Sequence, residues 1–178
     1  MGVICFGSVT DWPGVWALYE SAFPRCERRS WAQHRRAMAA EAGFECVQVH
    51  RGGQVVALVF YWRLSCCLFV EHLAVLKECR GQGIGRAVLQ WLQAKALPII
   101  LEIEPVVDSA TRRRLEFYTA AGFVELPFEH EQRPFHADSA AVPMRLLSWP
   151  VAMTSAQIDD FERELRGRVM LYSDAVAD

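Results

Sequence analysis

Arg80-Gly81-Gln82-Gly83-Ile84-Gly85 stands between an apolar run, Leu68 to Leu76, and a stretch with helical apolar spacing at Val88, Leu89, Trp91 and Leu92. Such a stretch reads as a strand, a tight loop and a helix. Glycines let the chain turn sharply and let a ligand approach the backbone without meeting a Cβ. A helix that starts directly after them aims free amides, and the positive end of its dipole, at whatever lies in front. The expected guest is a phosphate-bearing cofactor, with Arg80 and Arg86 flanking it as phosphate partners. This is not a Walker loop, because no Gly-Lys-Ser/Thr follows. It also departs from G-x-G-x-x-G, because Arg86 stands where the third glycine belongs.

On either side of the loop, strand and helix signals alternate. Val3 to Phe6 reads as a short strand. Thr10 or Asp11 caps a helix that begins around Trp12 and Pro13, and Ser30 caps a second from Trp31 to Ala42. Phe44 to His50 and Gln54 to Arg63 flank Arg51-Gly52-Gly53, a hairpin signal. After the strand Cys67 to Leu76 and the loop, a helix runs to about Ala96. Pro98 to Glu104 reads as a buried strand, and Asp108 or Ser109 caps a helix that Gly122 ends. Phe123 to Phe128 and Val142 to Ser148 read as strands, with polar residues 129–141 between them as a loop. Thr154 or Ser155 caps a last helix to about Leu171. The expected architecture is a mixed α/β (α+β) domain over residues 1–178. Its sheet is mostly antiparallel, of about seven strands, flanked by helices.

Composition narrows the function classes. The 178 residues are 52% hydrophobic, enough for a sizeable core, and the net charge of −2 offers no basic field for nucleic acid. The longest apolar run, Val55 to Trp62, falls far short of a membrane span, and no secretory signal is read at the N-terminus. Six cysteines without a C-x-x-C pair fit free thiols in a reducing cytoplasm, with no metal site expected.

A second motif, Leu115-Glu116-Phe117-Tyr118-Thr119-Ala120-Ala121-Gly122-Phe123, ends a helix and opens a strand. Tyr118 lies in the last turns, where a phenol can donate a proton to a leaving group. Together the two motifs resemble the GNAT-type acetyltransferases. Arg80-x-x-Gly83-x-Gly85 matches that family's Q/R-x-x-G-x-G/A signature, and Leu115 to Phe123 matches its tyrosine-bearing helix with the closing Gly-Phe. The resemblance covers residues 44–126; the strand and helix within 142–171 fit more loosely.

The resemblance implies a GNAT-like fold and an acetyl-CoA-dependent N-acetyltransferase moving acetyl directly to a primary amine of a small molecule or peptide. Gly81, Gln82, Gly83, Ile84, Gly85 and the flanking Arg80 and Arg86 are implied to cradle the pyrophosphate of acetyl-CoA. Leu73, Ala74 and Val75 are implied to pair with the pantetheine amides, on a strand that splays from its neighbour. Tyr118 is implied to protonate the departing thiolate. The Asn that many members carry after the following strand is absent; Asp108 or Ser109 stands there. The connection from Phe23 to Arg29 is implied to border the acceptor pocket.

For the base, carboxylates on apolar strands are the candidates, since burying them is costly without a partner or a role. Glu71, two residues before Leu73 and so on its face, is the first choice as base or ammonium anchor; Glu102 and Glu104 follow. His72 is expected on the opposite face from Glu71, as filler. Other readings are a non-catalytic acyl-CoA-binding module and an acyltransferase with another acyl donor. The late strand and last helix offer a surface for a homodimer.

Overall fold

A computed structural model describes residues 2–175. The chain runs β1 (Ile4–Ser8), α1 (Trp12–Ala22), α2 (Trp31–Ala40), β2 (Phe44–Arg51), β3 (Gln54–Arg63), β4 (Leu68–Val75), α3 (Ile84–Gln93), β5 (Ile99–Ile103), α4 (Ser109–Ala120), β6 (Val124–Glu125), β7 (His130–Gln132), β8 (Val142–Trp149) and α5 (Ser155–Gly167). Helix starts follow the capping logic. Asp11 accepts from the Gly14 amide, Ser30 from Gln33, Asp108 from Ala110 and Thr111, and Thr154 from Gln157.

The strands form one sheet in the order β1-β2-β3-β4-β5-β8-β6, with β7 paired to β8. Among the described residues β4 and β5 make the single parallel pair. Helices cover both faces. Along β3, Leu58, Phe60 and Trp62 enter the core beneath α1, α2 and α5, while Ala57, Val59 and Tyr61 enter the core beneath α3 and α4. That alternation buries β3 on both sides, as a central strand requires. No helix among the described residues is long and apolar enough to cross a membrane.

Three sequence expectations shift. Within 129–141, read as a loop, His130–Gln132 forms β7, with His130 and Gln132 turned inward and Glu131 outward. Three residues beside Pro134 are too few to display an alternation. The strand expected over Phe123–Phe128 shrinks to Val124–Glu125. The last helix stops at Gly167, and Val169–Tyr172 forms a separate 3-10 turn.

Candidate active site

The register of β4 and β5 opens the site. Their parallel pairing runs from Leu68↔Ile99 to Val70↔Leu101 and stops there, although β4 continues to Val75. Beyond Val70 the two strands part. Glu71 shows what faces the gap: the residue is half-buried, yet its side chain is only 2% exposed, so the accessible atoms are main chain. Leu73 and Val75, two and four residues on, are likewise half-buried, and Ala74 between them is buried. A row of backbone groups is left without a strand partner, ready to pair with an extended amide-bearing ligand.

This row leads into the glycine loop. Gly81 and Gly83 adopt φ of +72° and +79°, a region that L side chains avoid, and nothing lies within 4 Å of where a Cβ would stand at either. Gly83 is the N-cap of α3, and no side chain caps that end. The first-turn amides of Ile84, Gly85 and Arg86 therefore lack a protein side-chain acceptor, as an anion site requires. Gly85 has a different reason: a Cβ there would come within 3.1 Å of the Phe117 ring. Ile84 is buried and anchors the turn to the core. Arg80 and Arg86 are exposed; Arg80 folds back so that its Nε donates to the Val75 carbonyl at 3.1 Å. Gln82 accepts from Arg51 at 2.6 Å and donates to the Glu78 carbonyl at 2.9 Å, which braces the loop.

Across the gap, α4 brings Tyr118. Its ring packs on Phe117 and Phe123, and burial pushes the phenol up to about 12, with the Arg114 charge pulling the other way. Among the described residues no group hydrogen-bonds its hydroxyl. Asp108 is engaged as the cap of α4, leaving Ser109 beside it at the exposed helix start.

Glu71 does not stand where alternation places it. The β3–β4 register jumps from Phe60↔His72 to Tyr61↔Val70, which leaves Glu71 as an extra, bulged residue. The bulge turns Glu71 and His72 to the same face, that of α1 and α2, and away from the Leu73 face; both face assignments made from alternation are corrected. The Glu71 carboxylate meets the Arg29 guanidinium and accepts from Trp62 Nε1 at 3.2 Å. Burial, the largest single influence, would raise its pKa, but Arg29 and the neighbouring His72 together outweigh it and hold the carboxyl below the usual range. The group that sequence reasoning assigned to the acceptor's nitrogen is thus held by an arginine.

Arg29 is fully buried and satisfied on all sides. Nε donates to the Tyr172 carbonyl and Nη2 to the Val169 carbonyl, both at 2.9 Å, and the rings of Phe44, Trp62 and Phe135 lie within 5.6 Å. His72, expected as filler, bolts the same connection: its Nε2 lies 2.8 Å from the Glu27 carbonyl and 3.4 Å from the Tyr19 hydroxyl. His136 Nε2 lies 3.0 Å from the Arg28 carbonyl. The α1–α2 connection is thereby tied to β4, to the segment after β7 and to the C-terminal turn.

The other two candidate carboxylates serve separate clusters. Glu102 shares His130 with Glu162 of α5; burial opposes charge on His130, but the two carboxylates overcome it and raise its pKa to about 9. Glu104 pairs with Arg114, one turn before Tyr118. Sequence reasoning did not single out Arg29, the role of His72, or His130. For His72 a signal existed: two polar residues in succession inside an apolar strand mark a bulge. Arg29 carries none, sitting among arginines in a loop.

With the geometry in view, relatives can be compared. Residues 38–125 match the model of the acetyltransferase (GNAT) domain. A Bacillus subtilis (strain 168) protein provisionally named acetyltransferase YjbC is 32% identical over 120 residues, 66% of this chain; the match spans 62% of that relative's length, less than two thirds. A solved GNAT-family structure from Bacteroides thetaiotaomicron, provisionally named an acetyltransferase, has a TM-score of 0.85 at 22% identity, covering 97% of this chain and 99% of its own. Naa50 of Arabidopsis thaliana, solved with the bisubstrate analogue CoA-Ac-MVNAL, has a TM-score of 0.60 at 17% identity, covering 82% of this chain and 97% of its own. The parted strands, the glycine turn into α3, the domain match and these relatives agree: the chain belongs to the GNAT acetyltransferase superfamily.

Proposed function

We propose that the chain is an acetyl-CoA-dependent N-acetyltransferase that moves an acetyl group directly to a primary amine of a small molecule or peptide. One observation carries this reading: the unpaired β4 backbone runs into an uncapped helix N-terminus across a turn with two left-handed glycines. The open space at Gly81 and Gly83 is the cradle that a Cβ would fill, and a diphosphate fits it. In this reading the amides from Gly81 to Arg86 hold the pyrophosphate. The main chain of Leu73, Ala74 and Val75 orients the pantetheine, with Arg80 released from the Val75 carbonyl toward phosphate.

When bound, acetyl-CoA supplies an activated acyl carbon. The chain's own residues align, shield and move protons. Tyr118, with its elevated pKa, stays protonated at neutral pH and can give its proton to sulfur. Glu71 acts as a positioning residue, because its carboxylate fixes Arg29 and through it the wall of the acceptor pocket. The acceptor enters from the α1–α2 side, where Pro24 to Arg29 and the segment after β7 are tied together. The Arabidopsis Naa50 complex, with its peptide-bearing analogue, supports an amine acceptor on this fold.

The test pairs calorimetry with a thiol-release assay. Acetyl-CoA should bind the isolated protein, and free CoA should appear when spermidine, lysine or an unblocked tetrapeptide is added. No heat at millimolar acetyl-CoA would refute the reading. Binding without CoA release for any amine would favour a non-catalytic acyl-CoA module.

A further inference from the structure

Glycine takes left-handed backbone as readily as right-handed, so the φ values of +72° at Gly81 and +79° at Gly83 do not maintain themselves. Neither residue has a side chain to anchor the turn. The residue between them, Gln82, is exposed and gains nothing by burial. Its side-chain amide is nonetheless held at both ends. Nε2 donates to the Glu78 carbonyl at 2.9 Å, close by in the chain, and Oε1 accepts from Arg51 Nη2 at 2.6 Å. The first bond only folds the turn on itself. The second crosses 31 positions of sequence and ties the turn to the β2–β3 hairpin.

Arg51 is placed to stay still. It closes β2, pairs with Gln54 across the two-residue turn Gly52-Gly53, and pairs with Ile4 of β1 on the other side. Its stem runs beside Gly2, where a Cβ would stand 3.3 Å from Arg51 Cγ. The same edge of the sheet meets α3 a second time. Phe6 of β1 stacks on Trp91, with ring centroids 4.9 Å apart and planes 4° from parallel. Hairpin and helix therefore share one frame, and Arg51 spans it to the turn in front of α3. Its Nη2 also lies 3.9 Å from Cys79 Sγ, just before the turn.

We propose that Arg51 is the positioning residue of the glycine turn: through Gln82 it keeps Gly81 and Gly83 left-handed before a diphosphate arrives. The proposal rests on the N-acetyltransferase reading above and deepens its cofactor side. A turn fixed in advance loses less conformational freedom on binding, so preorganisation appears as affinity. The hydrogen bonds of Arg51 stop at the turn, so the reacting centre is left alone. Its effect therefore belongs to acyl donors that carry a diphosphate.

The test applies acetyl-CoA calorimetry to wild type, Arg51→Ala, Arg51→Lys, Gln82→Ala and the double variant R51A/Q82A. Arg51→Ala should weaken acetyl-CoA binding about tenfold, the scale of one hydrogen bond to a charged group. The KM for acetyl-CoA should rise by the same factor with kcat retained. Arg51→Lys, which keeps stem and charge, should recover part of the loss. The double variant should bind as Gln82→Ala does, because Arg51 acts through Gln82. Turnover of S-acetylpantetheine, which lacks the diphosphate, should be equal in wild type and Arg51→Ala. In the ligand-free protein, amide hydrogen exchange over residues 80–86 should quicken in Arg51→Ala, while the rest of α3 holds. Unchanged affinity or unchanged exchange in Arg51→Ala overturns the assignment and leaves the N-acetyltransferase reading standing. Losses that add in the double variant mean direct action on phosphate and overturn the positioning role. An equal loss with S-acetylpantetheine means a general disturbance of the fold and overturns it too. Failure of wild type to bind acetyl-CoA overturns the underlying reading; the exchange rates then still decide whether Arg51 holds the turn.

Discussion

On the α3–α4 face of the sheet, the groups that meet the opening are mostly main chain: the free edge of β4, the glycine turn and the first amides of α3. On the α1–α2–α5 face they are side chains held by other side chains, Arg29 on Glu71, His72 on Glu27 and His130 between Glu102 and Glu162. The first face is built from contiguous sequence. The second joins residues separated by up to 143 positions, as Arg29 Nε and the Tyr172 carbonyl are. Local chemistry thus frames the proposed donor side, and long-range ties shape the proposed acceptor side. Substitutions on the second should be costlier to the fold, and those on the first costlier to cofactor affinity.

Arg29→Met is the severest test of that contrast. It leaves the Glu71 carboxylate buried without its counter-charge and two carbonyls of the C-terminal turn without donors. Removing one member of a buried pair costs about 3–5 kcal/mol, which urea unfolding should register. Adding Glu71→Gln should recover part of the loss, because the stranded charge disappears. A loss below about 1 kcal/mol, typical of a surface ion pair, would mean that the α1–α2–α5 face is not held this way.

Tyr118→Phe separates chemistry from binding. The phenol has no hydrogen-bond partner among the described residues, so stability should barely move. If it serves as general acid, kcat should fall about 100-fold while the acetyl-CoA dissociation constant holds. Unchanged kcat would remove Tyr118 from the proposed mechanism.

The His130 cluster gives the α1–α2–α5 face a pH signature. Its folded pKa of about 9 exceeds the ordinary 6.5, so the folded state binds the proton more tightly. That stability is fully present below about pH 6.5 and is lost as pH rises through about 9. At 1.36 kcal/mol per pKa unit the loss is at most about 3 kcal/mol. Glu162, whose pKa is lowered by its bond to His130, loses its share on the acid side instead. Unfolding free energies at neutral and alkaline pH should diverge in the wild type and converge in His130→Gln.

The same division explains what could be read in advance. The glycine turn, the capped helix starts and the Tyr118 helix depend on neighbours within a few residues, and the sequence carried them. Alternation failed where one residue of β4 is extra: the bulge swings Glu71 to the α1–α2 face, a change that period two cannot express. Residues 130–132 are too short a strand to display a period at all. Arg29 looks like Arg28 beside it in composition, yet one is fully buried and the other half-buried. Only the packing of the C-terminal turn over the α1–α2 connection tells them apart.

The glycines sharpen the comparison at the smallest scale. Gly83→Ala sets a side chain at φ +79°, with free space around it; the penalty is backbone strain of about 1–2 kcal/mol. Gly81→Ala, at φ +72°, should behave alike. Gly85→Ala has no strained φ but brings its Cβ to 3.1 Å from Phe117, a ring stacked edge-on against Tyr118. The first two should weaken acetyl-CoA binding with kcat retained at saturation, because they alter the cradle and nothing at the reacting centre. Gly85→Ala should lower kcat as well, because moving Phe117 moves the phenol. Calorimetry and saturating turnover on the three variants resolve this. If all three merely weaken binding, Phe117 does not position Tyr118, and the glycine loop and α4 act independently.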